Sequence, residues 1–284
     1  MTSILVGVDG TCRGDRAVAW AARQAEREGA SLALLSVIDS DMVRTFGVAS
    51  DAVRDAVQSV LDETAQSVAV QHPDLEIKTT IVEGEVVSSM ANAANLHDMI
   101  VLGSHHGATI GETMGGAKGL RVSVLTKVPT VVVPADWDLD TENEGIMVGV
   151  GPDNVSENAI AFGIRQAEML NQELDIVSAW GLPPLLTRPA EVMGGGLGPV
   201  GEQFQAELDV RVAKIKAAHP DLDIEGHSIE GPSPARVLID HSKSFGMLVM
   251  GTHSRTMLGR TVFGSVTHSV LMNMAVPTVI VPQK

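Results

Sequence analysis

The sequence predicts an α/β protein built from two tandem doubly wound domains, each a parallel sheet covered by helices on both faces. Three observations carry this: the chain repeats itself, β-branched runs alternate with helix-period stretches, and glycine-rich segments fall where strands end. At 284 residues, two ordinary domains fit without crowding.

The repeat comes first. Ser3-Ile4-Leu5-Val6-Gly7-Val8 returns as Gly145-Ile146-Met147-Val148-Gly149-Val150, and His72-Pro73-Asp74-Leu75-Glu76-Ile77 as His219-Pro220-Asp221-Leu222-Asp223-Ile224. Glu83-Gly84 matches Glu230-Gly231, and Pro129–Pro134 matches Pro277–Pro282. The copies stand 142 positions apart at Val6 and Val148 but 148 apart at Pro129 and Pro277, so copy two has gained residues. The insertion maps to Gly181–Gly201, whose prolines and Gly194-Gly195-Gly196 read as an extended loop. The boundaries are therefore residues 1–134 and 145–284. Between them lies Ala135–Glu144, a linker with five acidic residues and no basic one.

Within copy one, Ile4–Val8 is a β-branched strand, and Ala17, Val18, Ala21, Ala22 and Ala25 share a helix face. Next come strand Leu32–Val37, helix Ala52–Val70, strand Leu75–Val82, helix Val86–Leu96 and strand Met99–Leu102. A glycine-rich loop, helix Leu120–Leu125 and strand Thr130–Val133 complete the copy. Copy two repeats the order. Such alternation forces parallel strands with right-handed crossovers, and a ligand then sits beyond the strand carboxyl ends at the topological switch point.

Composition narrows the function. The net charge of −15 repels nucleic acid and anionic lipid, and with 3% aromatics there is little for single-stranded bases to stack on. A single cysteine, Cys12, excludes an internal disulfide framework. With no leader-like start and no apolar run of about 20 residues, a cytoplasmic protein is expected. Because the surface is acidic, an anion site must supply its own positive potential.

Two segments fall at strand carboxyl ends. One is Val6-Gly7-Val8-Asp9-Gly10 after strand one; the other follows strand four. In copy two the second runs from Gly251 through Ser254, Arg255 and Arg260 to Gly264-Ser265 at a helix start. Backbone N–H groups at that helix start, with the two arginines, suit a phosphate. This pair of segments, Val-Gly-Val-Asp-Gly and Gly-x2-Gly-x9-Gly-Ser/Thr, resembles the ATP-binding signature of the universal stress protein family, over nearly the whole chain and twice. The resemblance implies a Rossmann-like, adenine-nucleotide-binding fold and a cytosolic stress-response regulator. It also implies that ATP or ADP, with Mg, is the cofactor, that the aspartate contacts the nucleoside, and that the glycine loop wraps the phosphates.

Neither copy carries the whole pattern. Copy one keeps Asp9, Gly103 and Gly116, but has His106 at the middle glycine and Ala117 at the hydroxyl position. Copy two keeps Gly251, Gly264 and Ser265, has Ser254 in the middle, and carries Gly151-Pro152 where the aspartate belongs. A site in copy two is favoured, because several phosphate contacts outweigh one carboxylate. Simpler roles stay open: Asp9 or Ser265 as a helix cap, and Gly103 and Gly251 as strand-end turns. A nucleotide-independent interaction scaffold is the rival reading.

Enzyme signatures are missing. Gly111–Lys118 lacks the glycine-lysine order of a P-loop, and there is neither a GxSxG elbow nor an HExxH pair. His105-His106 lacks the spacing of a zinc site, so no metal ligands are assigned. The methionines read as aliphatic core filler. As partners we expect an adenine nucleotide and a regulatory protein, with no nucleic acid and no membrane. Strands Thr130–Val133 and Thr278–Val281 are expected to pair the copies as an intrachain pseudo-dimer, and a homodimer is a further expectation.

Overall fold

The computed structural model describes residues 2–46, 50–104, 115–138, 143–151, 156–181, 198–252, 255–257, 260–262 and 264–283. The chain divides into two compact units, Met1–Thr141 and Glu142–Gln283.

In the first unit, β1 (Ser3–Gly7), α1 (Cys12–Glu28), β2 (Ser31–Asp39), α2 (Ser40–Phe46), α3 (Ser50–Gln71) and β3 (Ile77–Gly84) come first. Then follow α4 (Val86–Ala94), β4 (Met99–Gly103), α5 (Gly115–Leu125) and β5 (Thr130–Val133). All its strand pairings are parallel, in the order β3-β2-β1-β4-β5. The chain winds from β1 outward to β3, then returns to lay β4 on the other side of β1. The switch point thus lies between β1 and β4.

The second unit repeats this with β6 (Ile146–Val150), α6 (Glu157–Leu170), β7 (Leu174–Trp180), α7 (Gly198–Ala218) and β8 (Ile224–Glu230). It continues through α8 (Pro234–Ser242), β9 (Met247–Gly251), β10 (Arg255–Met257), β11 (Arg260–Val262), α9 (Ser265–Asn273) and β12 (Thr278–Val281). Its parallel order is β12-β9-β6-β7-β8.

Central strands are buried on both faces, which is why they read as unbroken apolar runs: Ile4, Leu5 and Val6 in β1, and Ile146, Met147 and Val148 in β6, are all 0–1% exposed. The helix face predicted from Ala17, Val18, Ala21, Ala22 and Ala25 is buried as well. Small residues there hold α1 close to the sheet. The glycines inside β1 and β6 serve packing. A Cβ on Gly7 would lie 3.0 Å from Leu102 Cδ2, and one on Gly149 would lie 3.2 Å from Leu238 of α8.

Three local features differ from the sequence reading. Helix α2 was unforeseen; it starts where the Asp39 carboxylate accepts the Asp41 N–H at 2.9 Å, and Arg44 pairs with Asp41. Part of the glycine loop of copy two is an antiparallel ribbon, β10 on β11, pairing Arg255 with Val262 and Met257 with Arg260. Of the segment read as the Gly181–Gly201 loop, residues 182–197 lie outside the described residues, whereas 198–201 open α7. The helix begins early because Gly201 sits against the Trp180 ring, which in turn packs on Phe204 at 5.1 Å between centroids.

Candidate functional site

At the end of β1 the chain turns into α1 through Asp9, Gly10 and Thr11. Gly10 has φ 71°, a left-handed conformation that glycine adopts without strain. Thr11 is the N-cap: its hydroxyl accepts the Gly14 N–H at 3.2 Å. Asp9 stands one step behind the cap. Its Oδ1 accepts both the Thr11 N–H (3.0 Å) and the Thr11 hydroxyl (2.7 Å). Gly14 leaves room for it, since a Cβ there would come within 2.6 Å of Asp9 Oδ1. The carboxylate therefore orients the cap and does not itself cap the helix.

The corresponding turn of the second unit is built differently. Gly151 follows β6, and its N–H donates to the buried Ser156 hydroxyl at 3.0 Å. Ser156 precedes α6 but makes no side-chain cap bond.

The strand-four ends are alike. Gly103 and Gly251 are the last paired residues of β4 and β9, opposite Val133 and Val281, and neither is among the described glycines with positive φ. Each is followed by a buried hydroxyl residue, Ser104 or Thr252, whose N–H bonds the same neighbouring carbonyl, that of Val133 or Val281. Gly116 lies in the first turn of α5. Gly264 is the N-cap of α9, with φ −62° and no side-chain cap bond, and Ser265 is the exposed first residue of that helix. Ser265 is accordingly not the cap. Ser254 and His106 lie outside the described residues, and Arg255 and Arg260 fall on the β10–β11 ribbon.

One difference between the units was within reach of the sequence and was missed. Along the strand carboxyl ends the first unit carries Asp9, Asp39, Glu83 and Glu85. The equivalent positions in the second are Gly151, Gly181, Glu230 and Ser233, so three of the four carboxylates are gone. Glu85 caps α4 by accepting the Ser88 N–H at 2.7 Å, and that bond holds its carboxyl below the ordinary carboxylate range. Ser233 caps α8 the same way, neutrally, taking the Arg236 N–H at 3.3 Å. In the first unit Arg54 pairs with Glu83 and Arg121 lies 4.0 Å from Glu85, so these cations answer local carboxylates. Among the described residues, no group of three or more His, Cys, Asp or Glu side chains is arranged to hold a metal ion.

The characteristic sequence of the Universal stress protein family matches this chain twice, over residues 1–134 and 142–282. The chain belongs to that family. It is 26% identical over 291 residues to a universal stress protein of Mycobacterium tuberculosis, covering 99% of this chain and 97% of that one. A universal stress protein of Mycolicibacterium smegmatis is 24% identical, with 98% and 96% covered. Among solved structures, a universal stress protein from Archaeoglobus fulgidus shares the fold, with a TM-score of 0.75, 16% identity, and 99% and 96% coverage. Family membership supports a role in the stress response. Among the described residues no helix is long and apolar enough to cross a membrane.

Proposed function

We propose that this protein is a cytoplasmic stress-response regulator that binds one adenine nucleotide, ATP or ADP, at the second unit, and signals occupancy to a protein partner without acting as an enzyme. The observation that carries this reading is the loss of carboxylates along the strand ends of that unit. A polyphosphate approaching the first unit meets Asp9, Asp39, Glu83 and Glu85; approaching the second it meets Glu230 alone of that set. Like charges a few ångströms away cost an anion on the order of 1 kcal/mol each at a protein surface.

The N-terminus of α9 adds to this. Gly264 and Ser265 present first-turn N–H groups that no side chain bonds among the described residues, where the helix dipole favours negative charge. Arg255 and Arg260 enter the chain between Gly251 and Gly264, bringing positive charge to an otherwise acidic surface. Magnesium would be carried by the phosphates. The nucleotide-independent scaffold is the second reading, and Asp9 speaks for it, because its carboxylate is committed to the Thr11 turn in the half that retains it.

Calorimetry with ATP and ADP separates them. We expect a stoichiometry near one per chain, abolished by Gly264→Val with Ser265→Ala and nearly unchanged by Asp9→Ala. Loss of binding on Asp9→Ala with the second-unit variant unaffected would assign the nucleotide to the wrong half here. No binding by the wild-type chain would leave the scaffold.

A further inference from the structure

β3 and β8 are equivalent edge strands of the two units, and they are finished differently. In a parallel ladder alternate residues turn both backbone groups toward the neighbour. The Leu32 N–H bonds the Glu76 carbonyl and the Leu174 N–H bonds the Asp223 carbonyl. It follows that Ile77, Thr79, Ile81 and Glu83 of β3, and Ile224, Gly226, Ser228 and Glu230 of β8, turn theirs outward.

On β8 one side chain plugs the middle of this edge. Gln205 of α7 donates from Nε2 to the Gly226 carbonyl at 3.0 Å, and its Oε1 accepts the Ser228 N–H at 2.7 Å. That is the bond pair a residue of one more parallel strand would make. Gly226 makes it reachable: a Cβ there would stand 2.6 Å from Val212 Cγ2, so only glycine lets α7 press this near the edge. On β3 the position of Gly226 is taken by Thr79, which is exposed. The counterpart of Gln205 is Gln58, and its amide bonds Asp62 at 2.8 Å. Among the described residues no bond closes the outward groups of β3.

We propose that the β3 edge docks β3 of a second copy of this chain, antiparallel, about a two-fold axis at Thr80. In that register Ile77 faces Glu83 and Thr79 faces Ile81, so every outward group finds its complement. Eight N–H···O=C bonds form, and Thr80 faces its own copy in a non-hydrogen-bonded pair. The charges fit as well. The strand Ile77–Gly84 holds one cation and one anion, and in this register Lys78 meets Val82 while Glu83 meets Ile77. No like charges oppose each other, whereas β8 carries Glu225 and Glu230. Lysine on an edge strand normally discourages such pairing. Lys78 is held by Glu76 at 2.8 Å, which blunts that protection.

The test uses the full chain. Thr80→Cys on a Cys12→Ser background should form a covalent dimer under mild oxidation, because the two Thr80 Cα atoms would lie about 4.5 Å apart, within disulfide reach. Thr79→Cys, which faces Ile81 and not itself, should cross-link at least about tenfold less well. In the unmodified protein, exchange of the Thr79 and Ile81 amides should slow about tenfold from dilute to concentrated solution. Thr80→Lys, at an exposed position, sets two ammonium groups face to face. It should weaken the dimer about tenfold while leaving the dilute-solution melting temperature unchanged. Equal cross-linking at both positions, or β3 protection independent of concentration, overturns the proposal. So does protection of β3 by an extended peptide of foreign sequence in a chain that does not self-associate.

Discussion

The first unit has four carboxylates at its strand ends and an open β3 edge; the second has one of the four and a side chain plugging the middle of β8. The fold is the same, down to Ser104 and Thr252 bonding equivalent carbonyls. The halves differ at many positions, buried pairs such as Ala22 and Ile164 or Ala33 and Asp175 included, but the contrast at the strand ends and the edge comes from a few residues outside the core. The first, fourth and fifth strands of the two units are nearly interchangeable, Met99–Gly103 with Met247–Gly251 and Thr130–Val133 with Thr278–Val281 for example, whereas the second strands differ even where they are buried. Gly151, Gly181 and Ser233 stand where the first unit has carboxylates, and Thr79 stands where the second has Gly226.

The comparison breaks most readily at Gly226. Giving it the residue of the first unit, Gly226→Thr, drives a Cβ to 2.6 Å from Val212 Cγ2 and forces α7 off the edge. Overpacking costs typically 1–3 kcal/mol, and the two Gln205 bonds are lost with it. We expect about 2–3 kcal/mol of destabilisation by denaturant titration, with faster exchange of the Ser228 amide. An unchanged midpoint would mean that the glycine does not hold the helix against β8.

Thr11→Ala tests the opposite contrast, because among the described residues only the first unit uses a side chain to cap its leading helix. Losing that cap should cost about 1 kcal/mol. Asp9→Ala should cost a comparable or smaller amount, since Thr11 keeps its own bond to Gly14. If Asp9→Ala were the more damaging, the aspartate would be holding more than the cap.

The smallest effect concerns pH. His97 sits where the second unit has Phe245, and burial, reinforced by Lys78 and opposed by Asp98, lowers its pKa below the ordinary imidazole value. The unfolded chain then binds the proton more readily than the folded one. Stability from this residue is complete above the ordinary value of about 6.5 and is lost as pH falls from there toward the lowered one. As His97 is only partly buried, solvent screening keeps the change below about 1 kcal/mol. His97→Phe should flatten the pH dependence of melting in that range, and an unaltered profile would remove His97 from the account.

Much of this was legible in the sequence. The runs Ile4–Val8 and Thr130–Val133, and the small-residue face of α1, lie within a residue or two of their observed elements, because burial on both sides leaves no freedom in composition. The unread parts depend on contacts between elements. Nothing local in Asp9-Gly10-Thr11 says which residue caps, since aspartate and threonine are both common N-caps. Helix α2 is too short for a periodic signal, and the Arg255–Val262 ribbon has three residues a side. The plug on β8 was the hardest to see: Gln58 and Gln205 sit at equivalent places, each with an aspartate four residues on, and only the glycine across the gap makes one of them reach.

The Gln205 plug also determines how far self-assembly can go. A subunit with both β3 and β8 open would be a two-ended monomer. Copies could then add one after another, and a contact that never closes on itself grows into a fibre. With the middle of β8 plugged by a side chain of its own unit, strand addition at these two edges falls to the proposed β3 site alone. Growth through that site stops at two.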